Sequence, residues 1–190
     1  GMAAGLASEG KHVFTYSIGN FPTFRAAEQL RNDIDYHNLS VTTVIVGGGV
    51  SYGALGYSHH AFQDYALIRL FPNHLILSPG DPTEVEAVMD FIIQNPQPSY
   101  LRLGKAGEKV FHKAKVKVQP GKFLEVRNFD GERNVLCTGA ALQRAEELFP
   151  EHNIYTLPVW GMSCKNVVAD ELSQFSDLVV LEDHLLDGGL

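Results

Sequence analysis

Strand-length apolar runs alternate with helix-period segments along almost the whole chain, and this alternation restricts it to α/β architectures on mainly parallel sheets. His12 to Ile18 and Val41 to Val46 read as strands. Between them Pro22 to Ile34 predicts a helix, with proline pre-set for its first turn. A glycine-rich loop from Gly47 to Ser58 leads toward a helix near His60 to Leu70 and a short buried strand at Leu75 to Leu77. Pro82 to Gln94 carries the strongest helix signal: Asp81 as cap, Glu84 three residues on, and a stripe of Val85, Val88, Met89, Ile92 and Ile93. Ser99 to Leu103 predicts the next strand.

The pattern changes at Gly104. Helical periodicity vanishes, lysines alternate with valines over Lys113 to Val118, and residues 106–133 are expected to be a linker carrying a hairpin. A second βα series follows: strand Asn134 to Cys137, helix Ala140 to Phe149, strand Ile154 to Pro158, helix near Lys165 to Ser173 and strand Leu178 to Glu182. The expectation is an open, mainly parallel sheet with helices on both faces over residues 1–105, then a smaller, truncated α/β domain over 134–190.

Composition narrows the function classes. A net charge of -7 offers no basic footprint for nucleic acid or an anionic membrane surface, and no apolar run is long enough to span a bilayer. Without a basic n-region and apolar core at the start, a cytoplasmic protein is expected. Cys137 and Cys164 stand far apart and outside any CxxC spacing, which argues against a disulfide framework and a zinc site.

Gly47-Gly48-Gly49 after a strand is not a dinucleotide fingerprint, because the next glycines fall at 53 and 56 and no acidic residue ends the following strand. Five glycines in ten residues still permit close approaches that side chains forbid. The loop ends in Gly56-Tyr57-Ser58-His59-His60, at the sheet edge where open α/β folds place ligands. Adjacent histidines suit an acid/base or substrate-binding role. Asp64, four residues after His60, could share its helix face, but one histidine and one aspartate make a weak metal site, so no metal is assigned to this chain.

Met2 to Ala7, Tyr16 to Arg31, the histidine loop, Leu77-Ser78-Pro79-Gly80-Asp81-Pro82-Thr83-Glu84 and Tyr100-Leu101-Arg102-Leu103-Gly104-Lys105 together resemble the pyrimidine-binding domain of transketolases. Asn134 to Leu190, with Glu182-Asp183-His184 before Gly188-Gly189, resembles the start of the transketolase C-terminal domain. The resemblance implies a subunit that moves a two-carbon ketol unit between small carbohydrate-like compounds with thiamine diphosphate. It assigns His59 as the catalytic histidine, Phe21 and Phe24 to the aminopyrimidine ring, and Arg102 to substrate phosphate; His60 is expected to face substrate.

Two departures qualify this. Gly47 and Leu55 stand where sugar-phosphate transketolases carry a histidine and an aspartate, which puts their specificity in doubt. The activating glutamate of the family is expected before Met2, outside the chain, and the magnesium and diphosphate motif belongs to another domain. A diphosphate-binding partner that also holds Mg2+ is therefore implied, with a homodimer or heterotetramer as the assembly and little activity for the chain alone. The alternatives are a beta-type subunit of a 2-oxoacid dehydrogenase and a non-catalytic remnant acting as an interaction module.

Overall fold

The computed structural model describes residues 1–131 and 133–190, so position 132 of the expected linker lies outside the described residues. Helices α1 (Met2–Ser8), α2 (Asn20–Phe24), α3 (Ala27–Gln29), α4 (Asp64–Ile68), α5 (Pro82–Gln94), α6 (Ala141–Leu148) and α7 (Lys165–Leu172) alternate with strands. The strands are β1 (Val13–Ile18), β2 (Val41–Val46), β3 (Leu75–Leu77), β4 (Ser99–Leu103), β5 (Leu124–Arg127), β6 (Asn134–Cys137), β7 (Asn153–Thr156), β8 (Val159–Trp160) and β9 (Val179–Leu181). They form an α/β fold of two sheets, ordered β1-β2-β4-β3-β8 and β5-β7-β6-β9.

In the first sheet β1, β2, β4 and β3 run parallel, so their carboxyl ends lie along one edge. Ser17, Ile45 and Arg102 share one row near it. Val41 and Ile45 of β2 and Tyr100 of β4 are fully buried, as expected for strands covered on both faces. The second sheet is parallel at β6 with β7 and β9, and antiparallel at β5 with β7.

Helix α5 follows the sequence signal. Asp81 Oδ1 accepts the Glu84 amide at 2.8 Å, and Glu84 Oε2 reaches one residue beyond the usual capping box to the Gly80 amide at 2.7 Å. Other expectations need correction. The helix expected over Pro22 to Ile34 starts earlier, at Asn20, and breaks into α2, α3 and a π-helical stretch Leu30–Asp35. The helix expected from His60 begins only at Asp64, because residues 57–59 form a separate 3₁₀ turn.

The hairpin expected within residues 106–133 does not form among the described residues, and the lysine–valine stretch Lys113 to Val118 is not a strand. Its alternation has another cause: Val116 and Val118 pack against Ala87, Val88 and Ile92 of α5, while Lys115 stays in water and pairs with Glu86. Leu124–Arg127 of the same stretch is the edge strand β5.

The two sheets share a core. β8, from the second half of the chain, adds antiparallel to β3, with Trp160 opposite Ile76. Tyr65, Ile68 and Ile76 from the first half pack in one cluster with Leu136, Leu157, Trp160 and Val168 from the second. Among the described residues no helix is long and apolar enough to cross a membrane.

Candidate functional site

The candidate site forms where β1 and β2 deliver their following segments to one edge. Gly19 follows β1 with its amide on the Val46 carbonyl, which starts α2 beside the end of β2. The loop after β2 closes through mutual backbone bonds of Gly49 and Ala61, at 2.9 and 3.0 Å. Residues 50–60 therefore stand as a flap on a fixed neck, and Asn20 secures the flap by donating from Nδ2 to the His60 and Ser58 carbonyls.

This arrangement brings three expected residues together. The Phe21 ring meets the half-buried His59 ring edge-on, with centroids 5.2 Å apart. His59 Nδ1 lies 3.0 Å from Ser58 Oγ. Among the described residues no hydrogen bond engages its Nε2. Phe24, 45 % exposed one turn after Phe21, lines a cleft of about 410 Å³ with Asn20, Tyr57, Ser58 and Gln63. An exposed phenyl ring in such a cleft suits a flat heteroaromatic ligand.

His60 turns elsewhere: its Nε2 donates to the Gly53 carbonyl at 3.2 Å, and its ring sits between Tyr57 and Phe62. It shares no helix face with Asp64, which starts α4 and points to Arg102.

Arg102 lies under the site rather than in it, 3 % exposed. Nε donates to Asp64 Oδ2 at 2.8 Å, Nη1 to Asp183 Oδ1 and the Tyr65 hydroxyl, and Nη2 to the Ala61 carbonyl at 2.8 Å, Asp64 Oδ1 and the Asp183 carbonyl. Each of the five N–H groups thus has an internal acceptor. The guanidinium also lies over the Tyr65 ring, 4.3 Å from its centroid. Asp64 accepts in addition from the Tyr100 hydroxyl at 3.1 Å; burial and then the Asp64 charge hold that phenol well above its usual pKa.

This network also explains the glycines. A Cβ at Gly48 would stand 2.2 Å from Arg102 Cζ, and one at Gly49, where φ is +57°, 2.9 Å from Asp183 Cβ. The close approach that the glycines permit is thus to the protein's own charged side chains. Sequence reasoning gives Asp64 and Asp183 no such role, and at a separation of 81 positions Arg102 and Asp183 carry no local signal of the contact.

A second buried cluster joins Asp81, Glu84 and His112. Its ligand-type atoms are already engaged: Asp81 Oδ2 accepts the Phe111 and His112 amides, and Glu84 Oε1 accepts His112 Nε2 and the Thr156 hydroxyl. It fastens the stretch after β4 to the start of α5. Glu84 raises the His112 pKa above its ordinary value.

Residues 1–107 match the family described as the transketolase pyrimidine binding domain. A Methanocaldococcus jannaschii protein named as a transketolase C-terminal section is 32% identical over 199 residues, covering 100% of this chain and 62% of that protein. An apulose-4-phosphate transketolase subunit of Phocaeicola vulgatus is 39% identical over 106 residues, 56% of this chain and 34% of that one. Among solved structures, a split-gene transketolase described as an inactive beta4 tetramer superposes with a TM-score of 0.79 at 26% identity, over 100% of this chain and 63% of that one. The chain therefore spans at most about three fifths of the length of these relatives.

Proposed function

Because the chain belongs to the transketolase family through its pyrimidine binding domain, we propose that it is the pyrimidine-binding subunit of a two-subunit, cytoplasmic enzyme that transfers a ketol unit between small carbohydrate-like carbonyl compounds. The observation that carries this reading is the meeting of Phe21 and His59 beside the cleft lined by Phe24. The transketolase names of the relatives favour ketol transfer over the 2-oxoacid dehydrogenase alternative.

Thiamine diphosphate, when bound, supplies the carbanion chemistry that breaks and makes the carbon–carbon bond. The residues here fit its pyrimidine end: Phe21 and Phe24 offer ring faces and edges, and Asn20 holds the flap against them. The diphosphate and Mg2+ fall to a partner subunit, whose arrival covers the exposed rings of Phe24 and Tyr57. Without it, that face pairs with a second copy.

His59 acts at the substrate carbonyl. With the Ser58 hydroxyl donating to Nδ1, the ring proton sits on Nε2, from which it can be donated to the carbonyl oxygen. His60, tied to the Gly53 carbonyl and packed between Tyr57 and Phe62, holds the shape of the flap that carries His59.

The test is co-expression with a diphosphate-binding transketolase subunit. A stable heteromeric particle with ketol-transfer activity that requires thiamine diphosphate and Mg2+ is expected. A chain that ignores such a subunit at micromolar concentration would instead be a non-catalytic interaction module.

A further inference from the structure

The flap that carries His59 is fixed at its neck and tied at its far end by a single side chain. At the neck Gly49 and Ala61 exchange backbone hydrogen bonds, and Gly19 lies so close that a Cβ there would stand 3.0 Å from Ala61 Cβ. The Tyr52 ring fills the space beside Gly47, where a Cβ would stand 2.2 Å from its Cε2, and Lys105 Nζ lies 4.8 Å from the centroid of that ring. The far end, Tyr57–His59, is one 3₁₀ turn at the surface, with Tyr57 and Ser58 exposed.

Asn20 reaches this turn from α2. Its Nδ2 is surrounded by three main-chain carbonyls, those of Tyr57 at 3.5 Å, Ser58 at 3.4 Å and His60. Three acceptors leave no choice of amide orientation, so the donor end faces the flap and Oδ1 is turned away from it. Helix α2 is itself anchored, because Thr23, fully buried, lies within 2.7 Å of both the Gly19 carbonyl and the Tyr100 hydroxyl. Asn20 is thus a fixed post, and Phe21, the next residue of the helix, presents the ring that His59 meets. The tie also has a release. Oδ1 is buried and among the described residues has no hydrogen-bond partner. A stranded acceptor offsets part of what Nδ2 gains, and lifting the flap returns Oδ1 to water.

We infer that Asn20 is a positioning residue for His59: by tying the turn to α2, its amide holds the imidazole against Phe21, beside the cleft lined by Phe24. The role of His59 at a carbonyl rests on the function proposed above; the tie between Asn20 and the His59 ring does not. An aspartate at position 20 would set a carboxylate against the three carbonyl oxygens, and an alanine would leave them to water. Asn20 is only partly buried, so the fold should survive either change.

The test starts from the ring-proton resonances of His59 in the 190-residue chain, which the edge-on Phe21 ring displaces, with Phe21→Leu as the reference for loss of that displacement. In Asn20→Asp these resonances should move most of the way to their Phe21→Leu positions, while the Gly49 and Ala61 amides keep their protection from hydrogen exchange. His59 resonances that stay at their wild-type positions in folded Asn20→Asp overturn the inference. Asn20→Ala, which adds no charge, is judged by the same shift; should neither variant fold, Asn20 is a structural residue and the inference falls. In the reconstituted two-subunit enzyme, Asn20→Ala should lower kcat at least about tenfold, with the KM for thiamine diphosphate changed less than about twofold. Placed in a His59→Ala background, the same substitution should cost nothing further, because a residue that acts through His59 has no effect once the imidazole is gone. Losses that add in the double variant overturn the inference, as does a raised KM with kcat unchanged. A wild-type enzyme without ketol transfer counts against the proposed function, and the ring resonances then judge Asn20 by themselves.

Discussion

A guanidinium withdrawn from water persists only if its N–H groups and its charge are all matched, and Arg102 meets both conditions with groups from three elements. Removing it leaves Asp64, fully buried, without a counter-charge. Arg102→Met should therefore cost about 3–5 kcal/mol of stability, while the double variant Asp64→Asn/Arg102→Met should recover a good part of it, as chemical denaturation would show. His59 is the contrasting case. It is half-buried, and among the described residues its ring meets Ser58 and the edge of Phe21, so His59→Ala should leave the melting temperature nearly unchanged. Turnover of the two-subunit enzyme should fall by roughly 10²-fold or more if the imidazole serves the carbonyl. Intact turnover with a large loss of melting temperature would make His59 structural.

At the scale of elements, the start of α5 is a junction as well as a cap. Glu84 binds Gly80, Thr156 and His112, so one carboxylate links the helix, β7 and the stretch after β4. Since the folded state raises the His112 pKa above 6.5, protonation favours folding. The stabilisation is complete below about pH 6.5, where unfolded and folded chains both carry the proton, and fades as pH rises through the folded pKa. Melting temperature measured from slightly acidic to alkaline pH should thus fall more steeply for the wild type than for His112→Gln; parallel curves would remove His112 from the linkage. The cap itself is legible in the sequence, because Asp81, Pro82 and Glu84 lie within four residues of one another. Its tie to His112 is not, since nothing near residue 112 encodes a partner 28 residues away. The same limit explains the other misses. Valines alternating with lysines read as part of a linker, but the alternation comes from packing against α5; the π-helical stretch after α3 has no period that a 3.6-residue template detects. At the site, Phe21 and His59 can be placed by resemblance, whereas Asp183 becomes visible only when the second sheet is seen against the first.

For the molecule as a whole, the sequence suggests two units joined by a linker, and the packing binds them into one. β8 completes the first sheet from the second half of the chain, Trp160 stacks edge-on against Tyr65, and its indole N–H donates to Ser78 at 3.0 Å. Gly139 adds a backbone bond to the Ser78 carbonyl, and Asp183 closes the ring of contacts at Arg102. A fragment ending near residue 107, the limit of the family match, would lose β8, Trp160 and Asp183 together. It would expose the apolar surfaces of Tyr65, Ile68 and Ile76 and leave Arg102 with one carboxylate fewer. Each such loss is worth about 1–3 kcal/mol, against a total stability of about 5–15 kcal/mol for an ordinary domain. The fragment should therefore fail to fold by itself, giving no dispersed amide spectrum and no cooperative melt, while the 190-residue chain should unfold in a single calorimetric transition with equal van't Hoff and calorimetric enthalpies. Two resolved transitions in the intact chain, or a fragment of residues 1–107 that melts cooperatively, would show the halves to be independent and the shared core a contact of convenience.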